Sequence, residues 1–284
     1  RWIDTACDLA FLFMDLHAHG LPQLAWRFLN AWLERSGDFG ALQRLRHDAV
    51  YRALVRAKVA ALRAGQAAEA ATRSAALADV ARYLRLARQL AEPPRPWLAL
   101  TMGVSGSGKS SQTQPLIEQR GLVRLRADVE RKRLFGLAPE DPSTGVPGGI
   151  YDEATSDRLF AGLLATAREL LADGWPVLVD ATFIRLERRA PFAALAAELG
   201  LPWCVLAFEA PPALLRERVA QRQAQGGDAS EAGLAVLESQ LAHAEPLNAE
   251  EAAHAVRIDA RQAPKWPRLL ASCPPPIGPA PEDS

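Results

Sequence analysis

The sequence predicts an α/β fold, a parallel sheet flanked by helices, preceded by an all-helical segment. Three observations carry that prediction. Residues 1–92 place their apolar side chains at helical spacing. Glu92-Pro-Pro-Arg-Pro96 then forms a stiff linker and a domain boundary. Beyond it, short apolar runs alternate with helical patterns, which implies crossover units and parallel strand pairing.

In chain order, Leu9, Phe13 and Leu16, then Leu24, Phe28 and Trp32, recur every three to four residues, with Gly20-Leu-Pro22 breaking them into two helices. Ser36-Gly37-Asp38 marks the next break, and Asp38 is the expected N-cap of a helix from about Leu42 to Leu62. Gly65 interrupts, and an Ala-rich amphipathic stretch runs to about Leu90. Arg82, Arg85 and Arg88 fall near one face of it and read as a solvated face rather than an anion stripe. After the linker, strands are expected at Trp97–Met102, Leu122–Ala127, Trp175–Val179, Trp203–Phe208 and Ala255–Ile258. Helices are expected at 109–119, 153–173, 186–199, 211–224 and 231–244. The domain reading is a helical segment 1–92, an α/β domain 97–262, and a Pro-rich tail 263–284 expected to be disordered.

At 284 residues, 49% of them hydrophobic, the chain can bury one or two ordinary cores. No apolar run reaches the length of a membrane span, and no signal peptide opens the chain. It begins at Arg1 rather than Met, which reads as a fragment. Cys7, Cys204 and Cys273 lie far apart, so neither a disulfide framework nor a cysteine metal site is expected, and a reducing cytosol is the simplest compartment. Net charge is zero but uneven. Residues 1–92 carry 13 Lys and Arg against 9 Asp and Glu, and the remainder carries 20 against 24. An acidic second part lacks the broad basic footprint of a non-specific nucleic-acid binder.

Gly103-Val-Ser-Gly-Ser-Gly-Lys109-Ser110 matches the phosphate-binding pattern G-x-x-x-x-G-K-[ST] in full, between an apolar strand and a helix. Gly103, Gly106 and Gly108 let the backbone approach an anion, and the N–H groups from Ser105 and Ser107 through Ser111 would cradle it at a helix N-terminus. Lys109 would reach the β/γ-phosphates of ATP, and the Ser110 hydroxyl would sit on Mg²⁺.

Ligands of parallel α/β sheets lie beyond the carboxyl ends of the strands, which singles out three carboxylates. Asp180, ending Pro-Val-Leu-Val-Asp, has the form of a Walker B acid holding the Mg²⁺ shell; the alternative is a helix cap. Asp128, one helical turn before Arg131, can accept a proton from an attacking hydroxyl while Arg131 binds an acceptor phosphate; capping is again the alternative. Glu209 has no accompanying motif and reads as structural. Arg218 and Arg222 share a helix face at i, i+4, a spacing that repels unless an anion lies between them. With the hinge-like Gly226-Gly227-Asp228 they suit a lid over the triphosphate, solubility being the bland alternative. Arg185, Arg188 and Arg189 are weaker candidates for ligand contact. Tyr151 and Asp152 either line the acceptor pocket or start a helix. The five histidines show no ligand-set spacing.

On these motifs, together with Val179-Asp-Ala-Thr-Phe183 and the stretch Asp228-x-Ser230-x-Ala232 to Gln240, residues 97–259 resemble the P-loop kinases of the AAA_33-like family. Relatives of that group include gluconate kinases, zeta-toxin kinases and 5′-hydroxyl polynucleotide kinases. The resemblance implies a P-loop NTPase fold with strand order 2-3-1-4-5. It implies Asp128 as general base, Arg131 as substrate-phosphate ligand, and Arg218 with Arg222 as lid. Arg1–Leu16 and Tyr51–Lys58 are similar to the helical end of the aminoglycoside-phosphotransferase-like module, which some bacterial proteins fuse to such a kinase. The module's own catalytic loop and metal aspartate would then lie before Arg1. The helical part is expected to be catalytically dead and to pack on the α/β domain. The function expected is ATP-dependent transfer to a small-molecule or nucleotide-like hydroxyl. An ATP-driven regulatory switch is the alternative, and a nucleic-acid 5′ end is a third, disfavoured acceptor.

Overall fold

The computed structural model describes residues 5–92, 95–225 and 229–271. The chain divides into two compact units, Arg1–Pro94 and Arg95–Ser284.

The first unit is helical: α1 (Thr5–Ala18), α2 (Pro22–Ser36), α3 (Leu42–Gln66) and α4 (Ala70–Ala91). Gly37 ends α2 in the left-handed conformation, its N–H returning to the Leu33 carbonyl. Asp38 does not cap α3. Its carboxylate accepts the Ala41 N–H at 3.1 Å and caps a single 3-10 turn, Phe39–Ala41, from which α3 starts. In α3 the usual arrangement is inverted. After Leu42 and Leu45, which are buried, the buried face continues as Ala49, Ala53, Ala57, Ala60 and Ala64, while Tyr51, Leu54, Val59 and Leu62 are exposed. Small residues on the seam let two helix backbones approach closely. Two of the α4 arginines have partners on the protein: Arg82 pairs with Asp79 at 2.8 Å and donates to the Ala18 carbonyl, and Arg88 pairs with Glu92.

The second unit runs β1 (Leu98–Met102), α5 (Lys109–Arg120), β2 (Val123–Arg126), α6 (Ala127–Arg133), α7 (Glu153–Ala172), β3 (Val177–Asp180) and α8 (Leu186–Glu198). It continues through β4 (Trp203–Glu209), α9 (Pro212–Gln225), α10 (Leu234–His243), α11 (Ala249–Ala253), β5 (Ala255–Asp259) and α12 (Trp266–Ala271). The five strands are all parallel, in the order β2-β3-β1-β4-β5. β1, β3 and β4 are almost continuously buried, as strands covered on both faces must be, while the edge strand β5 alternates buried with exposed residues. From β1 the chain leaves toward β2, and from β3 toward β4, so these neighbours send their connections in opposite directions. A crevice opens there at the carboxyl ends of the strands. Register levels the groups around it, pairing Leu100 with Val179 and Arg126 with Asp180.

The expected strands and long helices appear with ends shifted by a residue or a few, and α6 and α11 are additional short helices. The expected disordered tail is wrong at its start. Trp266 in α12 is buried in the cluster of Trp97, Leu116, Phe208 and Ile258, and its indole N–H donates to the Gln112 carbonyl at 3.1 Å. Burying one tryptophan outweighs the local polar composition. Residues 272–284, Pro93-Pro94 of the linker and the hinge-like Gly226–Asp228 lie outside the described residues, as do Arg1–Asp4. No described helix is long and apolar enough to cross a membrane.

Candidate phosphate-binding site

After Met102 the chain folds through the glycine loop into α5. Two of its glycines are required by space as well as by torsion. A Cβ on Gly103 (φ +152°) would lie 2.7 Å from Ser107 Oγ and 2.9 Å from the Phe208 carbonyl; on Gly106 (φ +82°) it would lie 2.8 Å from the Leu215 carbonyl. The loop is pinned at its start by the Gly103 N–H, which donates to the Thr182 carbonyl after β3 at 2.9 Å. The Lys109 ammonium turns back onto the loop, donating to the carbonyls of Gly103 (2.7 Å) and Val104 (3.1 Å). Burial pushes its pKa down, and the carboxylates of Asp180 and Asp128 oppose that shift.

A cavity of about 280 Å³ opens over the loop. It is lined by Ser105, Gly106, Gly108, Lys109, Ser110 and Ser111 from the loop and α5, and by Asp128, Arg131, Asp180, Arg218 and Arg222. Gly103 and Ser107 are set apart. They line a separate hollow of about 390 Å³ behind the loop, against Phe208 and Leu215, so their part is to shape the turn.

Asp180 is 3% exposed. Thr101 Oγ1 donates to its Oδ1 at 3.4 Å, while its buried Oδ2 has no hydrogen-bond partner. A buried carboxylate oxygen left without a donor is costly, and a cation or its water shell would satisfy it. That orphaned oxygen and the glycine cradle are what a magnesium–triphosphate site calls for. Ser110 and Asp180 would hold the ion and the loop the phosphates. Among the described residues no cluster of three His, Cys, Asp or Glu is placed to bind a metal unaided.

Asp128 stands in the first turn of α6, whose N-cap residue is Arg126. Arg131, 8% exposed, donates to the Ile150 carbonyl at 3.0 Å and to Ser156 Oγ at 3.2 Å, lies over the Tyr151 ring, and keeps an unpartnered buried Nε. Burial pushes its pKa down against the pull of Asp128. Tyr151 lines the cavity and is pushed upward by burial and by the Asp128 charge. Asp152 serves instead as the N-cap of α7, its carboxylate accepting the Thr155 N–H at 2.8 Å. On α9, Arg218 donates to the carbonyls of Gly106 (3.4 Å) and Ala260 (2.9 Å), and Arg222 to that of Ala232 (2.7 Å).

Of the weaker arginine candidates, Arg189 is wrong as a ligand contact. It is fully buried, paired with Glu251 at 2.6 Å and bonded to the carbonyls of Phe183 and Pro246. Arg185 and Arg188 line the groove described next but are paired with Glu153, and Arg188 also with Asp157.

Sequence reasoning did not mark Arg126, Phe160, Thr182 or Gln240, which also line the cavity. Thr182 and Gln240 fell within stretches quoted for resemblance, and Arg126 opens the motif of Asp128 and Arg131, but none of them was given a role. Arg131, Tyr151, Phe160, Thr182 and Gln240 also line an adjoining groove of about 920 Å³. Its far wall includes Ile184, Arg188, Ser239 and Glu245, so apolar, cationic and hydroxyl groups face one space. Nearby, buried Lys132 pairs with Glu231 at 2.8 Å, and Glu231 also accepts the Ser143 N–H, tying α6 to the segment that follows α9.

The AAA_33 family of AAA domains matches residues 98–247. Uncharacterised proteins of Mycobacterium tuberculosis H37Rv and Mycobacterium bovis are 31% identical over 232 residues, covering 81% of this chain and 45% of theirs. The chain thus spans under half the length of these curated relatives. Among solved structures, a sugar kinase of Janibacter is similar at 21% identity over 65% of this chain and 99% of that one, with a TM-score of 0.47. A gluconokinase of Sinorhizobium meliloti is similar at 23% identity over 63% of this chain and 91% of that one, with a TM-score of 0.42.

Proposed function

The chain belongs to the AAA_33 family of AAA domains, and from that premise we propose that it is an ATP-dependent phosphotransferase acting on a hydroxyl of a small-molecule or nucleotide-like acceptor. One observation carries the reading. The cavity lined by Lys109, Ser110, Asp128, Asp180, Arg218 and Arg222 continues past Arg131 and Tyr151 into a second groove. Nucleotide hydrolysis needs only the first space, and an acceptor needs the second.

In the proposed reaction the loop 103–110 and Lys109 hold the triphosphate. Asp128 takes the proton of the acceptor hydroxyl as its oxygen bonds to the γ-phosphorus, and the bond from that phosphorus to the β-bridging oxygen breaks to release ADP. Arg218 and Arg222 face the charge that builds on the transferring group, and Arg131 binds an anionic group of the acceptor. Ser110 and Asp180 would hold a magnesium ion, which would supply charge neutralisation to the triphosphate. The helical unit is proposed as the helical part of an aminoglycoside-phosphotransferase-like module, on its likeness at 1–16 and 51–58. A cytoplasmic location is proposed from cysteine usage alone.

The test is labelled ATP with a panel of hydroxyl compounds. Label should move to one acceptor class. Asp128→Asn should lower that transfer by about 10²- to 10⁴-fold while nucleotide affinity holds. Label found only in inorganic phosphate, whatever the acceptor, would favour the regulatory switch.

A further inference from the structure

Gln240 of α10 lies where the nucleotide cavity meets the groove, and its Oε1 accepts the Ser105 N–H at 2.7 Å. That N–H belongs to the Val104–Ser105 peptide, whose carbonyl receives the Lys109 ammonium at 3.1 Å. One peptide unit is thus held from both sides, by the lysine that reaches β/γ-phosphates and by a carboxamide from 135 residues along the chain. An oxygen accepting from a loop N–H stands where an anion's oxygen would stand.

The helix is firmly seated. Leu237, one turn before Gln240, is fully buried with Val104, Leu215 and Val219, and Arg222 holds the Ala232 carbonyl just ahead of α10. Gln240 therefore reaches the loop from a fixed support.

We propose that Gln240 makes the site discriminate between nucleoside triphosphate and diphosphate. Without a γ-phosphoryl group, the carboxamide occupies the Ser105 N–H. A γ-phosphoryl oxygen competes for that N–H and frees Gln240 toward the groove, so the residue links triphosphate occupancy to the acceptor side. A diphosphate does not reach the contact and leaves it intact. The inference rests on nucleotide binding at loop 103–110, as proposed above, and is independent of the acceptor.

The experiment measures, by titration calorimetry with magnesium, the affinity of the whole chain for ADP and for a non-hydrolysable ATP analogue. Gln240→Ala removes the competitor and should raise the analogue-to-ADP affinity ratio by about 3- to 10-fold, the worth of one ordinary hydrogen bond. Gln240→Glu sets a carboxylate against the γ charge and should lower that ratio by about 10-fold. A defect in folding or in the seating of α10 would move both variants the same way. Ratios that stay at the wild-type value, or shift together, overturn the inference. A wild-type protein that binds neither nucleotide overturns the phosphotransferase reading, and this one with it.

Discussion

Gly106 and Gly162 show how differently one residue type acts at two positions. Gly106 holds φ at +82° with the Leu215 carbonyl 2.8 Å from where a Cβ would stand, so Gly106→Ala must distort the loop or push α9 away. Gly162 lies inside α7 with nothing within 4 Å of the same atom. Gly162→Ala should therefore stabilise by roughly 0.5–1 kcal/mol. Gly106→Ala should cost about 1–3 kcal/mol and weaken ATP binding. Urea unfolding and nucleotide titration of the two variants check both directions, and equal effects would refute the contrast. The phosphate loop was legible because its residues are contiguous and the spacing itself is the signal. Gln240 was not, because a glutamine in an exposed-looking helix means nothing until the fold lays α10 over the loop.

At the scale of elements, the second unit joins α8 to α11 through a buried ion pair. Asn248 and Glu251 form a reciprocal capping box on α11, and the same Glu251 carboxylate takes Arg189 Nε at 2.6 Å and an amino group at 3.0 Å. Burial pushes the Glu251 pKa up, but Arg189 and the Asn248 N–H outweigh it and hold the carboxylate below its usual range. A depressed folded-state pKa gives stability that is complete above the ordinary glutamate pKa and lost as pH falls through the folded value. Glu251→Gln strands the buried Arg189 charge and should cost about 3–5 kcal/mol at neutral pH. The difference from wild type should shrink below about pH 4, as the native carboxylate protonates too. Urea midpoints across that range test it, and a gap independent of pH would refute the linkage. Position in sequence suggested Arg189 as a ligand contact because it follows Asp180 closely; only the return of the chain at α11 gives it a carboxylate. The inner strands β1, β3 and β4 were legible for the opposite reason, since burial on both faces writes a near-continuous apolar run into them. In α3 the large apolar residues beyond Leu45 misdirect, because from Ala49 onward the packing face is an alanine seam.

Over the whole molecule, the break at the proline linker and the change of texture after it correspond to two different ways of making a core. Residues up to Pro94 bury alanine seams and helix stripes, and residues from Arg95 bury a sheet between helices. Each unit has its own apolar cluster, and only the second carries the phosphate loop. A ligand stabilises the unit that binds it by mass action, about 2.7 kcal/mol at a hundredfold excess over Kd. Spread over a unit of this size, that corresponds to a rise of roughly 5–10 °C in its midpoint. Calorimetry of the full chain should resolve two transitions, with magnesium and ATP analogue raising one and leaving the other in place. Lys109→Ala should abolish the shift without merging the transitions, because Lys109 bonds to its own loop and not to the core that unfolds. A single transition that moves as a whole would mean that the two cores unfold as one cooperative body. In that case the helical residues share in the stabilisation that nucleotide confers, and occupancy of the loop is transmitted to a unit that carries none of the phosphate-binding residues.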